Sequence, residues 1–329
     1  MSVSASTGEV LALCGGIGGA KLALGFYRGL DAGRLTVVVN TGDDFEHLGL
    51  NISPDLDTVL YTLAGLADPD RGWGRAQETW HFMESLRKVG GETWFQLGDR
   101  DLAIHILRTQ WLSAGKSLSS FAAHVADRFR IAARILPMSD APVRTIVQTA
   151  EGDLPFQRYF LGRRCEPVVR AIRFAGAKEA EPPVGIVQLI TNPSLQAIVI
   201  CPSNPYLSVD PILAVPGIAA ALAVSTAPVI AVSPIIGGQA VKGPTAKIMF
   251  ELGVAVTTEA IAAHYGNLID GLVIDTGDAA DAKRVDLPVL ATPTRMRDIA
   301  DRERLARDVM AFADTLKHRP AAKLIGGRQ

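Results

Sequence analysis

The sequence predicts an α/β fold: a Rossmann-like, mostly parallel sheet with helices on both faces and an α-rich insertion. Three observations carry this. Short runs of β-branched and aliphatic residues recur, each ending in a loop of glycines, carboxylates or hydroxyls. The first two runs are joined by a glycine-rich turn and a helix-spaced stretch, which together have the size of a βαβ unit. Residues 67–185 then leave that rhythm for helical patterns, and the rhythm returns at 186. Residues 8–66 and 186–316 are therefore expected to form the core, with 67–185 inserted over the sheet.

Residues 1–8 are small and polar and read as a loose terminus. A first strand is expected over 10–13. Cys14-Gly15-Gly16-Ile17-Gly18-Gly19-Ala20-Lys21 then turns into a helix that carries Leu22, Phe26 and Leu30 at helical spacing. Gly16, Gly18 and Gly19 let backbone N–H groups approach an anion at the helix N-terminus, and Lys21 supplies a counter-charge. The turn matches neither standard fingerprint: a dinucleotide G-x-G-x-x-G needs glycine where Lys21 stands, and a Walker A loop needs Gly-Lys-Ser/Thr where Ala20-Lys21-Leu22 stand. A NAD(P) oxidoreductase is disfavoured accordingly.

The second strand, over 37–39, ends in Asn40-Thr41-Gly42-Asp43-Asp44, and Ser53-Pro54-Asp55 reads as a helix start with Ser53 at the N-cap and Pro54 at N1. Asp55 and Asp57 thus join Asp43 and Asp44 at the C-terminal end of a parallel sheet, where such sheets hold ligands. Two like charges about 4 Å apart repel by roughly 4 kcal/mol at an effective dielectric of about 20. Carboxylates gathered in one cleft therefore imply a cation or a shared proton. Oxygen-only ligands favour magnesium over zinc.

In the insertion, helices are expected over 79–89, 101–114 and 118–129. All four tryptophans (Trp73, Trp80, Trp94, Trp111) fall between 73 and 111, a clustering suited to paving a flat heteroaromatic site or to packing. Gly98-Asp99-Arg100-Asp101 reads as a polar helix N-terminus, and Leu136-Pro137-Met138-Ser139-Asp140 as a rigid loop ending in a hydroxyl and a carboxylate. His81, His105 and His124 stand singly and are read as surface or packing residues. Beyond 186, a short apolar segment over 186–190 precedes strands over 197–201, 228–233 and 272–275, and a last helix spans 295–316. The first of these strands breaks into Pro202-Ser203-Asn204-Pro205, and the second runs from Ser233 through Gly237 and Gly238 to Lys242, a second glycine-lysine loop suited to phosphate.

Composition bounds the function. The chain has 329 residues, 48% hydrophobic and 20% charged, as expected of a folded protein. A net charge of −1 gives no basis for nucleic-acid binding. Cys14, Cys165 and Cys201 are odd in number and widely spaced, which fits free thiols in a reducing cytoplasm. No lipoprotein signal is read at Cys14, because Glu9 precedes it and no basic segment does. The uncharged segment 211–241 is long enough to span a membrane, but Pro211, Pro216, Pro228 and Pro234 interrupt it, so no membrane partner is expected.

The ordered set Cys-Gly-Gly-x-Gly-Gly-x-Lys, Val-Val-Asn-Thr-Gly-Asp-Asp, Ile-Ser-Pro-Asp-Leu-Asp-Thr, Leu-Gly-Asp-Arg-Asp, Leu-Pro-Met-Ser-Asp, Pro-Ser-Asn-Pro and Ser-Pro-Ile-Ile-Gly-Gly resembles the 2-phospho-L-lactate transferase family of coenzyme F(420) biosynthesis, from about residue 10 to 315. The resemblance implies transfer of a phosphorylated small acid (lactate, enolpyruvate or glycerate) from a guanosine diphosphate-linked donor to the ribityl hydroxyl of the deazaflavin Fo. GMP is released and magnesium is required. By the family pattern Asp43 and Asp55 would hold the metal, with Asp44 and Asp57 supporting. Gly16, Gly18, Gly19, Lys21, Ser203, Asn204, Ser233, Gly237, Gly238 and Lys242 would hold the donor. Asn40, Thr41, Trp94, Asp99, Arg100, Ser139 and Asp140 would hold the acceptor under the insertion, in a homodimeric cytoplasmic enzyme. A related branch resembles nucleotide-sugar-binding regulators of carbon metabolism, which share the glycine loop and the acidic strand end.

Overall fold

A computed structural model describes residues 8–240 and 243–316. Most of the segment read as a loose terminus, and Lys242, lie outside the described residues. Seven strands build the central sheet: β1 (Glu9–Cys14), β2 (Leu35–Val39), β3 (Arg134–Pro137), β4 (Leu195–Ile200), β5 (Val229–Val232), β6 (Gly271–Ile274) and β7 (Val289–Ala291). All neighbouring pairs are parallel, in the spatial order β3-β2-β1-β4-β5-β6-β7. The chain thus winds outward from β1 in one direction and then restarts at β4 in the other. The crevice between the C-terminal ends of β1 and β4 is the topological switch point, where doubly wound sheets bind ligands.

The strands are near-continuous apolar runs because both faces are covered. Along β1, Leu11 and Leu13 enter one core cluster while Val10, Ala12 and Cys14 enter the other. The second face is covered by α1 (Gly16–Gly29), α2 (Pro54–Leu63), α5 (Leu118–Arg128) and the helix Ile299–Thr315. The first is covered by short helices, among them Ile218–Val224, Thr245–Glu251 and Thr258–Tyr265. Ser53 is the N-cap residue of α2 and Pro54 opens the helix, as expected.

Residues 67–185 hold α-helices only in their first half, α3 (His81–Lys88), α4 (Asp99–Ser113) and α5. Beyond α5 the helical expectation gives way to strands. Arg134–Pro137 is β3, the edge strand of the main sheet, so this part of the segment belongs to the core. Arg144–Thr149, Gly152–Pro155 and Val169–Ala175 form a three-stranded antiparallel sheet. The segment 186–190 is a short helix, Ile186–Ile190, and the last described helix starts at Ile299, where the Asp298 side chain accepts from the Asp301 amide at 2.9 Å. The uncharged stretch over 211–240 is divided between helix, strand β5 and hairpin. Among the described residues no single helix is long and apolar enough to cross a membrane.

Candidate active site

A cavity of about 760 Å³ opens over the switch point. Its floor is the turn between β1 and α1, held against the loop after β4. The Ser203 hydroxyl accepts from the Gly15 amide at 3.1 Å and donates to the Gly15 carbonyl at 2.7 Å. A side chain at Gly18 would put Cβ 2.3 Å from the Pro202 carbonyl oxygen, so only glycine allows the two loops to touch there. Gly16 and Gly18 lie on the cavity wall, whereas Gly19 is buried against Cys14 and Ser203 and serves packing. Lys21 lines the cavity and its Nζ donates to the Met296 carbonyl at 3.2 Å. Asn204 lines it too: its Oδ1 accepts from the Tyr206 and Leu207 amides at 3.0 and 3.2 Å, and its buried Nδ2 has no hydrogen-bond partner. A donor left unpaired on a cavity wall is costly unless a ligand meets it.

The loop after β5 departs from expectation. Ser233 lines the cavity, but Gly237 and Gly238 do not: at φ 60° and 69° they form the two-residue turn of a hairpin, Ile235–Ile236 with Gln239–Ala240. The Gly237 amide donates to Asp278 Oδ2 at 3.0 Å. In this loop the glycines therefore build a turn, and Lys242 lies outside the described residues.

All four carboxylates of the acidic stretch are buried, but they do different jobs. Asn40 Nδ2 donates to Asp55 Oδ2 at 2.9 Å and reaches Asp43 Oδ1 at 3.4 Å, so both carboxylates converge on one amide. Gln157 Nε2 lies 3.4 Å from Asp43 Oδ2. Burial and then the Asp55 charge push the Asp43 carboxyl well above the usual range, and burial raises Asp55 to about 6 against the Asn40 and Gly16 donors. Asp44 lies behind them, off the cavity wall: its Oδ2 accepts from Ser53 Oγ at 2.7 Å and its Oδ1 is buried without a partner. Asp57 lines the cavity and is ion-paired through Oδ1 with Arg108, a fully buried side chain on α4, while its Oδ2 has no hydrogen-bond partner. Burial raises its carboxyl and Arg108 pulls it back.

His105, expected as a packing residue, joins this network on the cavity wall. Its Nδ1 lies 3.3 Å from Arg108 Nη1 and 3.6 Å from Asp57 Oδ2, and burial lowers its pKa to about 3, so the ring is neutral. Asp101, His105 and Arg108 share one face of α4 at helical spacing. A polar stripe of that kind, on a helix otherwise read as packing, was the signal in the sequence. His81 is exposed and His124 packs on Trp111, as expected.

Part of the cavity lining is aromatic. Trp73, Trp94, Phe95, Phe156 and Phe160 belong to it, with Phe156 and Phe160 stacked at 5.3 Å. Arg158 sits 4.2 Å over the Trp94 ring, and Trp80 and Trp111 pack elsewhere. Five residues expected to hold the acceptor do not reach the cavity. Asp99 accepts from Thr79 Oγ1 and the His81 and Phe82 amides, tying α3 to α4, while Arg100 is exposed against Gln77. Ser139 Oγ accepts from the Ala141 amide, and exposed Asp140 accepts from Ser119 at the start of α5. Thr41 is buried beside the acidic loop, off the wall, and only Asn40 and Trp94 of the expected acceptor set line the cavity.

A family model described as 2-phospho-L-lactate transferase CofD matches residues 10–310. Proteins named phosphoenolpyruvate transferase are 40% identical in Streptomyces avermitilis (94% of this chain, 99% of that protein), 41% in Kitasatospora aureofaciens (94% and 99%) and 39% in Mycobacterium sp. strain KMS (91% and 97%). A crystal structure of a UPF0052 family member from Bacillus halodurans superposes with a TM-score of 0.59 at 16% identity, covering 92% of this chain and 99% of that one. That likeness speaks for the fold.

Proposed function

The chain belongs to the 2-phospho-L-lactate transferase family, and from that membership we propose that it transfers a phosphoenolpyruvyl group from a guanosine diphosphate-linked donor to the ribityl hydroxyl of the deazaflavin Fo, releasing GMP. Enolpyruvate is favoured over lactate and glycerate by the names of the relatives. The observation that carries the reading is that one cavity joins a glycine and carboxylate floor at the switch point to an aromatic wall. The floor suits a diphosphate and the wall a flat ring system.

In this reaction the hydroxyl oxygen attacks the phosphorus of the phosphoenolpyruvyl group. The bond to the bridging oxygen breaks with GMP as leaving group, and the hydroxyl proton passes to a carboxylate of the floor. Gly16, Gly18 and Asn204 Nδ2 hold the donor phosphates, and Lys21 balances charge at the start of α1. Trp94 and its neighbours hold the acceptor ring. Asp43 and Asp55 fit a divalent cation: both are oxygen donors, buried, and converge on Asn40. Among the described residues no three His, Cys, Asp or Glu side chains gather as a metal site. Two carboxylates completed by phosphate oxygens and water are the magnesium arrangement. A bound magnesium would neutralise charge on the diphosphate.

Incubating the protein with Fo, magnesium and each guanosine diphosphate-linked acid, then weighing the product, tests the reading. The expected product is the phosphoenolpyruvyl ester of Fo, with release of GMP. Tight binding of a nucleotide sugar without product from any donor would support the regulator alternative. The family reading also carries a homodimer, which light scattering checks.

A further inference from the structure

The wall formed by α2 and α4 carries polar groups that phosphate and metal binding leave unused. The Tyr61 hydroxyl donates to Asp101 Oδ1, so only Oδ2 of that carboxylate is open. Asp101 Oδ2 stands 3.9 Å from His105 Nε2, beyond hydrogen-bond length, and both residues line the cavity. The tautomer follows from the far side of the ring. Arg108 Nη1 donates to the Asn51 carbonyl at 3.0 Å and points its other hydrogen at His105 Nδ1, 3.3 Å away. A guanidinium can only donate, so Nδ1 accepts and the proton of the neutral ring resides on Nε2. An N–H donor and a carboxylate acceptor thus face one gap, on side chains 3% and 14% exposed.

We propose that Asp101 Oδ2 and His105 Nε2 form a subsite for one alcohol hydroxyl, which donates to the carboxylate and accepts from the imidazole. An oxygen about 2.8 Å from each would span the gap. The acceptor of the transfer carries a polyol chain, and we assign one of its hydroxyls to this subsite, an assignment that rests on the transferase reading. Arg108 acts here as a positioning residue, through the tautomer of His105.

Two measurements decide the matter. The first titrates Fo, and a deazaflavin whose ribityl chain is replaced by an alkyl chain, into wild type, H105F, H105Q and D101N, with GDP binding and a melting curve as controls for the fold. H105F and D101N are expected to weaken Fo about tenfold or more, since each removes a hydrogen bond in which a charge or a buried partner is left unmatched. The alkyl analogue should be nearly unaffected, and H105Q should restore part of the Fo affinity through its amide N–H. Equal weakening of Fo and the analogue would overturn the subsite. Wild type that binds GDP but not Fo would overturn the transferase reading and, with it, the polyol assignment. The second measurement is the imidazole ¹⁵N spectrum of His105 at neutral pH. A neutral ring protonated on Nε2, lost in R108M, is the expected result, and an Nδ1-protonated ring or an imidazolium in wild type overturns the subsite whatever Fo does.

Discussion

Replacing Arg108 with methionine tests how the cavity wall is held. The guanidinium is fully buried, pairs with Asp57 and also reaches the Asn51 carbonyl. Methionine fills the aliphatic volume but strands the Asp57 carboxylate, 5% exposed, without its counter-charge. Breaking a buried pair from one side costs about 3–5 kcal/mol, whereas replacing both partners by neutral groups is often close to neutral. R108M should therefore lose about 4 kcal/mol in urea unfolding followed by circular dichroism, and D57N/R108M should recover most of it. The deficit also has a sign in pH. The folded-state carboxyl of Asp57 already lies above its unfolded value, and losing Arg108 raises it further. Its favourable contribution is present below about pH 4 and is lost as pH rises through the folded pKa, so R108M should come closest to wild type in acid. A loss below about 1 kcal/mol in R108M, or a double variant as unstable as the single, would refute the pairing as the device that holds α2 to α4.

Three further outcomes follow from the floor. Gly18→Ala puts Cβ 2.3 Å from the Pro202 carbonyl oxygen, while Gly16→Ala meets nothing nearer than 3.9 Å and carries only the left-handed backbone at φ 62°. Calorimetry with GDP should show a large loss of affinity for the first, whereas the second should cost about 1–2 kcal/mol of stability, and equal binding losses would contradict the loop contact. With Asp55 raised to about 6 by burial, the apo protein gains from that group below its unfolded pKa and loses the gain as pH rises through about 6. Magnesium should therefore raise the melting temperature more at about pH 7.5 than at about pH 5, and D55N should remove that difference. Asp43→Asn should abolish magnesium-dependent transfer with the fold intact by circular dichroism. Undiminished turnover by that variant would sink the assignment of Asp43 to the metal.

The parts of the fold legible in the sequence are those whose environment is uniform. β1, β2, β4, β5 and β6 are covered on both faces and read as near-continuous apolar runs. β3 escapes because four residues that open with an exposed arginine and close in proline carry no period. The antiparallel strand Arg144–Thr149 does alternate, with Thr145, Val147 and Thr149 buried, but threonine on the buried face hides the pattern. Ile186–Ile190 is a five-residue segment with four apolar residues around Gln188, too short for periodicity to tell helix from strand. At the site, the gathering of Asp43 and Asp44 with Asp55 and Asp57 was readable from strand-end and helix-start chemistry, and the choice of Asp43 and Asp55 came from the family resemblance. The ion pair of Asp57 was not legible, since its partner Arg108 is 51 residues away on a different helix. Asp99 and Asp101 occupy the same helical turn with opposite fates, because one faces the α3 amides and the other the cavity.

The central claim is that donor and acceptor lie side by side in one cavity. Titrating Fo into protein saturated with GDP and magnesium tests it most directly. Fo binding as tight as, or tighter than, in the absence of nucleotide is the result this account predicts. Mutual exclusion of Fo and GDP would contradict it, because a floor that displaces the acceptor cannot deliver a phosphorus to its hydroxyl.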